Sequence, residues 1–206
     1  MKITKIICSV LITLGAVNSY AQLLGLPVAT DATPVQRGTF AGSAGLVLSD
    51  DINSYGGRFE FNVDESITVF GDLGIVDIDG FDAGFGIQGG GLYRFHDIAD
   101  LPLDFGVRGT LGYATVSDTV DVDILSLSVM GLVSYSIDDM ISVYGFLGIS
   151  HARVEISING FSFSDSDTEP AIGGGVMLSF NPQFSAYAEL GIIDDTFIGI
   201  GGKFSF

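Results

Sequence analysis

The sequence predicts an all-β fold: a transmembrane antiparallel up-and-down β-barrel of ten strands, preceded by a cleaved signal peptide. Three observations carry that expectation. The chain opens on a basic and then apolar leader, and its body alternates apolar with small or polar residues at period two. It closes on an alternating segment whose last residues are Phe204-Ser205-Phe206.

Lys2 and Lys5 form a basic n-region, followed by an apolar stretch from Ile6 to Val17. Ser19-Tyr20-Ala21 then offers small residues at the positions a signal peptidase reads, which places cleavage after Ala21. A retained anchor helix would need about 20 apolar residues, and Asn18 ends the run early. Cys8, the only cysteine, sits inside the apolar stretch and reads as part of the signal, so no disulfide is expected after cleavage. The organisation expected is therefore a signal peptide at 1–21, a short periplasmic segment at 22–36 and the barrel at 37–206.

The chain carries 25 acidic residues against 8 basic ones, a net charge of −17. Such a surface cannot neutralise phosphates, which argues against nucleic acid as a partner. At 47% hydrophobic residues it is too apolar for a disordered chain of that charge. After the leader no apolar run is long enough for a membrane helix. Dispersed hydrophobicity with 29 glycines fits strands that alternate lipid-facing apolar residues with small or polar lumen-facing ones.

An internal repeat sharpens this. Four segments align without gaps: ITVFGDLGIVD from Ile67, FGVRGTLGYAT from Phe105, ISVYGFLGISH from Ile141 and FSAYAELGIID from Phe184. Each alternates with a period of two, whereas a helix would cluster apolar residues three and four apart. A Leu-Gly pair recurs in one column, and Gly74, Gly112, Gly148 and Gly191 fall on the inward parity. A soluble β-sandwich or solenoid is the alternative that shares this alternation.

Adding the segments between the copies gives ten strands: 37–48, 54–63, 67–77, 84–95, 103–115, 122–136, 141–156, 170–180, 184–193 and 196–206. Most reach the 9–11 residues, roughly, that a tilted strand needs to cross the hydrocarbon. Eight strands remain the alternative if 37–48 and one neighbour do not span. Closure is required either way, because an open edge in lipid leaves unpaired backbone groups. Short turns lie on the periplasmic side with both termini. Phe40, Phe61, Phe95, Tyr135, Phe180 and Phe206 then fall at one level and form an expected periplasmic aromatic girdle.

These features resemble the small Gram-negative outer-membrane β-barrel superfamily, which includes OmpA-like and OmpX-like barrels and the opacity adhesins. The terminal strand carries the resemblance best: Ile198, Ile200, Gly202, Phe204 and Phe206 alternate outward to the end of the chain. In that superfamily Phe204 and Phe206 would belong to the signal read by the barrel-assembly machinery. The resemblance also implies an outer-membrane location, with lipid and lipopolysaccharide as neighbours, and a monomer. The girdle departs from the usual pattern in having no tryptophan.

On the inward parity stand Arg58, Arg94, Arg108 and Lys203, with Glu60, Asp72, Asp104 and Glu189. Facing hydrocarbon, an Arg or Lys at the midplane would cost about 2–4 kcal/mol. Counting outward from the turn at Asp64-Glu65-Ser66 sets Arg58 opposite Asp72. The same counting brackets Arg94 with Asp104, places Lys203 diagonal to Glu189 and leaves Glu60 to meet Arg108. Inward Phe70, Tyr144, Phe146 and Tyr187 add bulk and can stack on Arg108. The set reads either as a salt-bridged filling of a narrow barrel or as a charged constriction that selects solutes. The inward glycine column is either a vestibule in the outer half or room for large neighbours.

The expected outer loops are all acidic, with Asp50-Asp51, Asp77, Asp79, Asp82, Asp118, Asp121, Asp123, Asp165, Asp167, Glu169 and Asp194-Asp195. Carboxylates suit hard cations, but the run from Asp77 to Asp82 lacks the spacing of a calcium loop. A solvated acidic rim, without metal or cofactor, is the expectation. Only His96 and His151 are present. His151 near Asp77 or Asp194 would be the one catalytic candidate, since ten-stranded outer-membrane proteases use external Asp and His. The short loops argue against a substrate cleft, so no catalytic residue is assigned. Two functions lead: a structural or surface-interaction barrel, and a narrow channel for small solutes.

Overall fold

The computed structural model describes residues 32–33, 36–49, 52–78, 83–95, 102–117, 121–158, 161–193 and 195–206. The expected signal peptide, His96 and the loop acids Asp50, Asp51, Asp79, Asp82, Asp118 and Asp194 lie outside these residues. The described chain forms ten strands: β1 (Phe40–Ser49), β2 (Ile52–Asn62), β3 (Ile67–Ile78), β4 (Gly84–Phe95), β5 (Asp104–Ser117), β6 (Asp121–Ser136), β7 (Ile141–Ile158), β8 (Phe161–Ser179), β9 (Phe184–Ile193) and β10 (Asp195–Ser205). Each pairs antiparallel with its sequence neighbours, and β1 also pairs with β10, so the barrel is closed. Because β1 bonds to both β2 and β10, eight strands would leave two open edges; the count is ten.

Three turns at the end where β1 begins and β10 ends share one device. Asp64 Oδ1 accepts from the backbone N–H groups of Ser66 and Ile67 at 2.8 and 2.7 Å. Asp138 Oδ1 does the same for Met140 and Ile141, both at 2.8 Å. Asn181 Oδ1 repeats it for Gln183 and Phe184, both at 2.9 Å. A short side-chain acceptor that satisfies the backbone two and three residues on stabilises a tight turn locally. The first carboxylates of these acidic turns are therefore structural acceptors, and an amide serves as well in the third.

Side-chain parity is as the alternation requires, and along the strands it inverts. On β7, Leu147 and Ile149 face outward and are exposed, while Tyr144 and Phe146 are buried inside. Two residues further out, outward positions turn polar at His151, Arg153 and Glu155, and the inward ones turn aliphatic at Ala152, Val154 and Ile156. The change recurs on β3, where outward Leu73 and Ile75 give way to Asp77 and inward Asp72 gives way to Val76 and Ile78. Within hydrocarbon the outer wall must be apolar. Beyond it the wall meets water, and only the enclosed face can bury aliphatic groups. The inversion therefore marks the outer boundary of the membrane.

Above that boundary the wall is uneven. β6, β7 and β8 stay paired up to Asp121↔Ser157 and Ile158↔Phe161, whereas β9 leaves β8 at Ala171↔Ile193. β8 thus begins at Phe161 and not near residue 170 as the sequence suggested. Residues 161–169 read as a loop because Ser and Asp, which favour turns, dominate the segment. Continuous pairing with β7 holds them extended regardless. Asp165, Asp167 and Glu169 consequently belong to a strand, as do Asp77, Asp121, Asp123 and Asp195, and not to loops.

Candidate functional site

Two places concentrate chemistry: the middle of the lumen and the outer part of β8. In the lumen, Arg58 stands opposite Asp72 in register, as the turn count requires. Its Nε and Nη2 donate to Asp72 Oδ1 and Oδ2, each at 2.7 Å, and both side chains are fully buried. Gln88 Nε2 donates to the same carboxylate at 3.1 Å. A bidentate guanidinium–carboxylate contact is among the strongest hydrogen-bonded pairs, and its geometry fixes both planes. The Arg58 guanidinium lies 4.3 Å from the centre of the Phe70 ring and that of Arg108 lies 4.9 Å from it. Phe70 therefore faces two cations, which spreads positive charge over an apolar surface.

The remaining expected pairings hold in part. Lys203 Nζ donates to Glu60 Oε2 and forms an ion pair with it. This corrects the expected pairing of Lys203 with Glu189 and of Glu60 with Arg108. Lys203 lies on β10 beside Ser43 of β1, which in turn faces Arg58 of β2. Closure of the barrel, and not a hairpin, brings the lysine to Glu60. Arg108 remains within electrostatic range of Asp72, Glu189 and Glu60. Arg94 Nη1 donates to Thr68 Oγ1 at 2.7 Å, and its register neighbour Gly106 is two residues from Asp104. All eight expected charges lie on the inward parity, and all but Asp104 and Lys203 are buried.

Large rings and small residues interlock around these charges. The Tyr187 ring lies over Gly45 and Gly201, where an added Cβ would collide with its phenol oxygen. A Cβ on Gly90 would meet Phe70 at 2.6 Å, and one on Gly175 would meet Tyr144 at 2.6 Å. Gly191, from the repeated inward column, lies beneath Phe197, and a Cβ on Gly148 would run into Val129 and Met130. Those glycines therefore make room for neighbours.

Apolar side chains are also buried toward both ends of the lumen. Toward the outside, Ile52, Val76, Ile78, Val116, Ile124 and Val154 belong to one buried aliphatic cluster drawn from five strands. Nothing in the local pattern announced it, because the apolar parity had been assigned to lipid along whole strands. At the other end Ala32 is buried beside Leu92 and Leu132, and its N–H donates to Ser134 Oγ at 2.7 Å. The segment before β1 thus reaches into the mouth of the barrel.

The outer part of β8 is the second place. Ser179 N donates to Met140 O at 2.7 Å and Phe180 N donates to Phe184 O at 3.0 Å. Odd-numbered residues of β8 therefore turn their backbone groups to β7 and even-numbered ones turn theirs toward β9. Beyond the last β9 partner this leaves the even-numbered backbone groups of 162–168 along an edge that is open among the described residues. Residues 161–168 are all exposed.

The expected girdle residues lie outward near the turn end, with Phe61 half-buried and Phe40, Phe95, Tyr135, Phe180 and Phe206 exposed. Phe206 N donates to Phe40 O at 2.8 Å, and its ring meets Phe204 edge-on at 5.0 Å. His151 is exposed on the outer wall, where Nδ1 lies 2.8 Å from Thr168 Oγ1. Asp77 is exposed on β3, four strands away, so the two face outward from different parts of the wall and do not converge. No group of three potential metal ligands occurs among the described residues.

Residues 64–203 match the family described as outer membrane protein beta-barrel domain. The chain belongs to the outer membrane protein beta-barrel family. One curated relative is the attachment invasion locus protein of Yersinia enterocolitica, 41% identical over 64 residues. The match covers 31% of this chain and 35% of that protein, about a third of each. Among solved structures, an outer membrane channel from Pseudomonas putida F1 is similar with a TM-score of 0.51 at 11% identity, covering 88% of this chain and all of the other. The N-terminal β-barrel domain of Pseudomonas aeruginosa OprF gives 0.43 at 14% identity, over 84% of this chain and all of that domain. At 11% identity the likeness to the channel shows the fold alone. Family membership makes the chain an outer-membrane barrel and agrees with the boundary marked by the parity inversion.

Proposed function

We propose that this outer-membrane barrel is an attachment protein that presents the projecting part of β6, β7 and β8 outside the cell, on a barrel whose lumen is filled and closed. The observation that carries this reading is the outer course of β8, whose open, exposed edge extends from Phe161 to its last partner pair with β9 at Ala171. An uncovered strand edge is a ready template for another chain, and a rigid barrel beneath it is a suitable support. The relative named for attachment and invasion supports the same class of role. The ion pairs, the rings over glycines and the aliphatic cluster support a lumen that passes no solute.

Two measurements test the halves of this reading. Purified protein in planar bilayers is expected to give no discrete conductance steps, and regular steps would favour the channel. Replacing 152–167 by a tight turn is expected to abolish attachment of a bacterial strain displaying the protein to matrix-coated and cell-covered surfaces. Attachment that persists in that strain at equal outer-membrane levels overturns the role of the projecting sheet.

A further inference from the structure

The open edge of β8 is not chemically neutral, and its own side chains determine what can pair with it. Along the edge the available backbone groups belong to Ser162, Ser164, Ser166 and Thr168. Pro170 has no N–H to offer. Ser166 N donates to Asp165 Oδ1 at 2.9 Å, and Thr168 N donates to Asp167 Oδ1 at 2.7 Å. Two of the four N–H donors of the edge are therefore held by carboxylates of the same strand. Proline and charged side chains on an edge are the means by which sheets refuse indiscriminate pairing.

The same carboxylates have a directional consequence. Register with β7 sets Val154 beside Asp165, Ala152 beside Asp167 and Ser150 beside Glu169. Val154, Ala152 and Ser150 are buried on the inner face, so Asp165, Asp167 and Glu169 form a column on that face at period two. Phe163 and Phe161 continue the column and are exposed. A strand added to this edge would place every second side chain directly opposite that column, about 4.5–5.5 Å away between Cβ atoms. Acidic residues there would meet like charge, and neutral ones would leave the carboxylates on the Ser166 and Thr168 N–H groups. Lysine or arginine would draw the carboxylates across and release those donors to the incoming carbonyls.

We infer that the partner of this edge is an extended polypeptide segment with Lys or Arg at alternate positions next to an apolar pair, which joins β8 as an added strand. This inference rests on the attachment reading and names its partner by chemistry. Discrimination follows from the charge column, and affinity from backbone pairing that, at Ser166 and Thr168, a cationic strand unlocks. Negative charge on the unoccupied edge gives specificity by excluding wrong partners. It also keeps two copies of this chain from pairing edge to edge.

The test uses the full barrel in lipid nanodiscs and three labelled nonapeptides, read by fluorescence anisotropy. The first is Lys-Thr-Lys-Thr-Lys-Thr-Val-Thr-Val, and the others carry Gln or Glu in place of Lys. The Lys peptide is expected to bind about tenfold tighter than the Gln peptide, from three opposed charge pairs, and the Glu peptide not at all. One variant of the protein, S166P/T168P, removes the two edge donors that the carboxylates hold and keeps every carboxylate and every bond to β7. Heat-modified gel mobility checks that it still forms a barrel. It is expected to lose the binding of the Lys peptide. Undiminished binding by S166P/T168P would mean bulk charge attraction and would overturn the inference. Equal binding of Lys and Gln peptides, lost in S166P/T168P, overturns the cationic partner and leaves the edge reading standing. Binding by none of the three peptides overturns the cationic partner, and the attachment assay on the shortened hairpin then judges the edge separately.

Discussion

Arg58→Ala is expected to lower the stability of the folded barrel by about 3–5 kcal/mol, because it leaves the Asp72 carboxylate buried without its partner. Both side chains of the pair are fully buried and joined by two hydrogen bonds of 2.7 Å. Removal of either member costs the desolvation of the other, so Asp72→Ala is expected to have a similar effect. The double variant leaves neither charge stranded. It should therefore be destabilised by much less than the two single losses together, and that non-additivity is the signature of a dry, coupled pair. A water-filled lumen would screen the charges, reduce each effect to about 1 kcal/mol or less and make them additive. The chain has no tryptophan, so denaturant unfolding is best followed by circular dichroism and by the gel shift between folded and unfolded barrels. Simple additivity of two small losses would show that water reaches the pair.

Ile124→Ala is expected to cost about 2–5 kcal/mol, the range for large-to-small changes in a packed core. Ile124 is fully buried on the inner face within the aliphatic cluster at the outer end. Its sequence neighbour Leu125 faces outward and is 48% exposed. Leu125→Ala removes a similar volume from the exposed outer wall, where no rigid neighbours surround a cavity. Its cost should be clearly smaller in the same unfolding experiment. Equal effects at both positions would contradict an apolar closure above the membrane. The contrast depends on adjacent residues facing opposite sides of one strand, which gives each variant a control of the same composition.

The same two sites show why some features are legible in a linear sequence. Arg58 opposite Asp72 follows from a turn of known length and from the period of two, both local properties. Once Asp64 fixes the turn, every pair on β2 and β3 follows. The ten strands could be read for the same reason: alternation and tight turns repeat within a few dozen residues. Lys203 with Glu60 could not be found in this way. Those residues are 143 positions apart and meet through β1, whose register with β10 is fixed only when the sheet closes.

The sequence by itself determined that this chain would alternate, turn and close as a ten-stranded barrel, because hydrophobic period and turn chemistry act between near neighbours. Tertiary structure decided three further matters. It set the Lys203–Glu60 pair, because closure joins the first strand to the last. It filled the outer lumen with aliphatic side chains, because enclosure there depends on strands distant in sequence. It also held the polar residues 164–169 as a strand, because β7 supplies the pairing that Ser and Asp do not favour. Each depends on a partner strand or an enclosing wall that exists only in the assembled barrel.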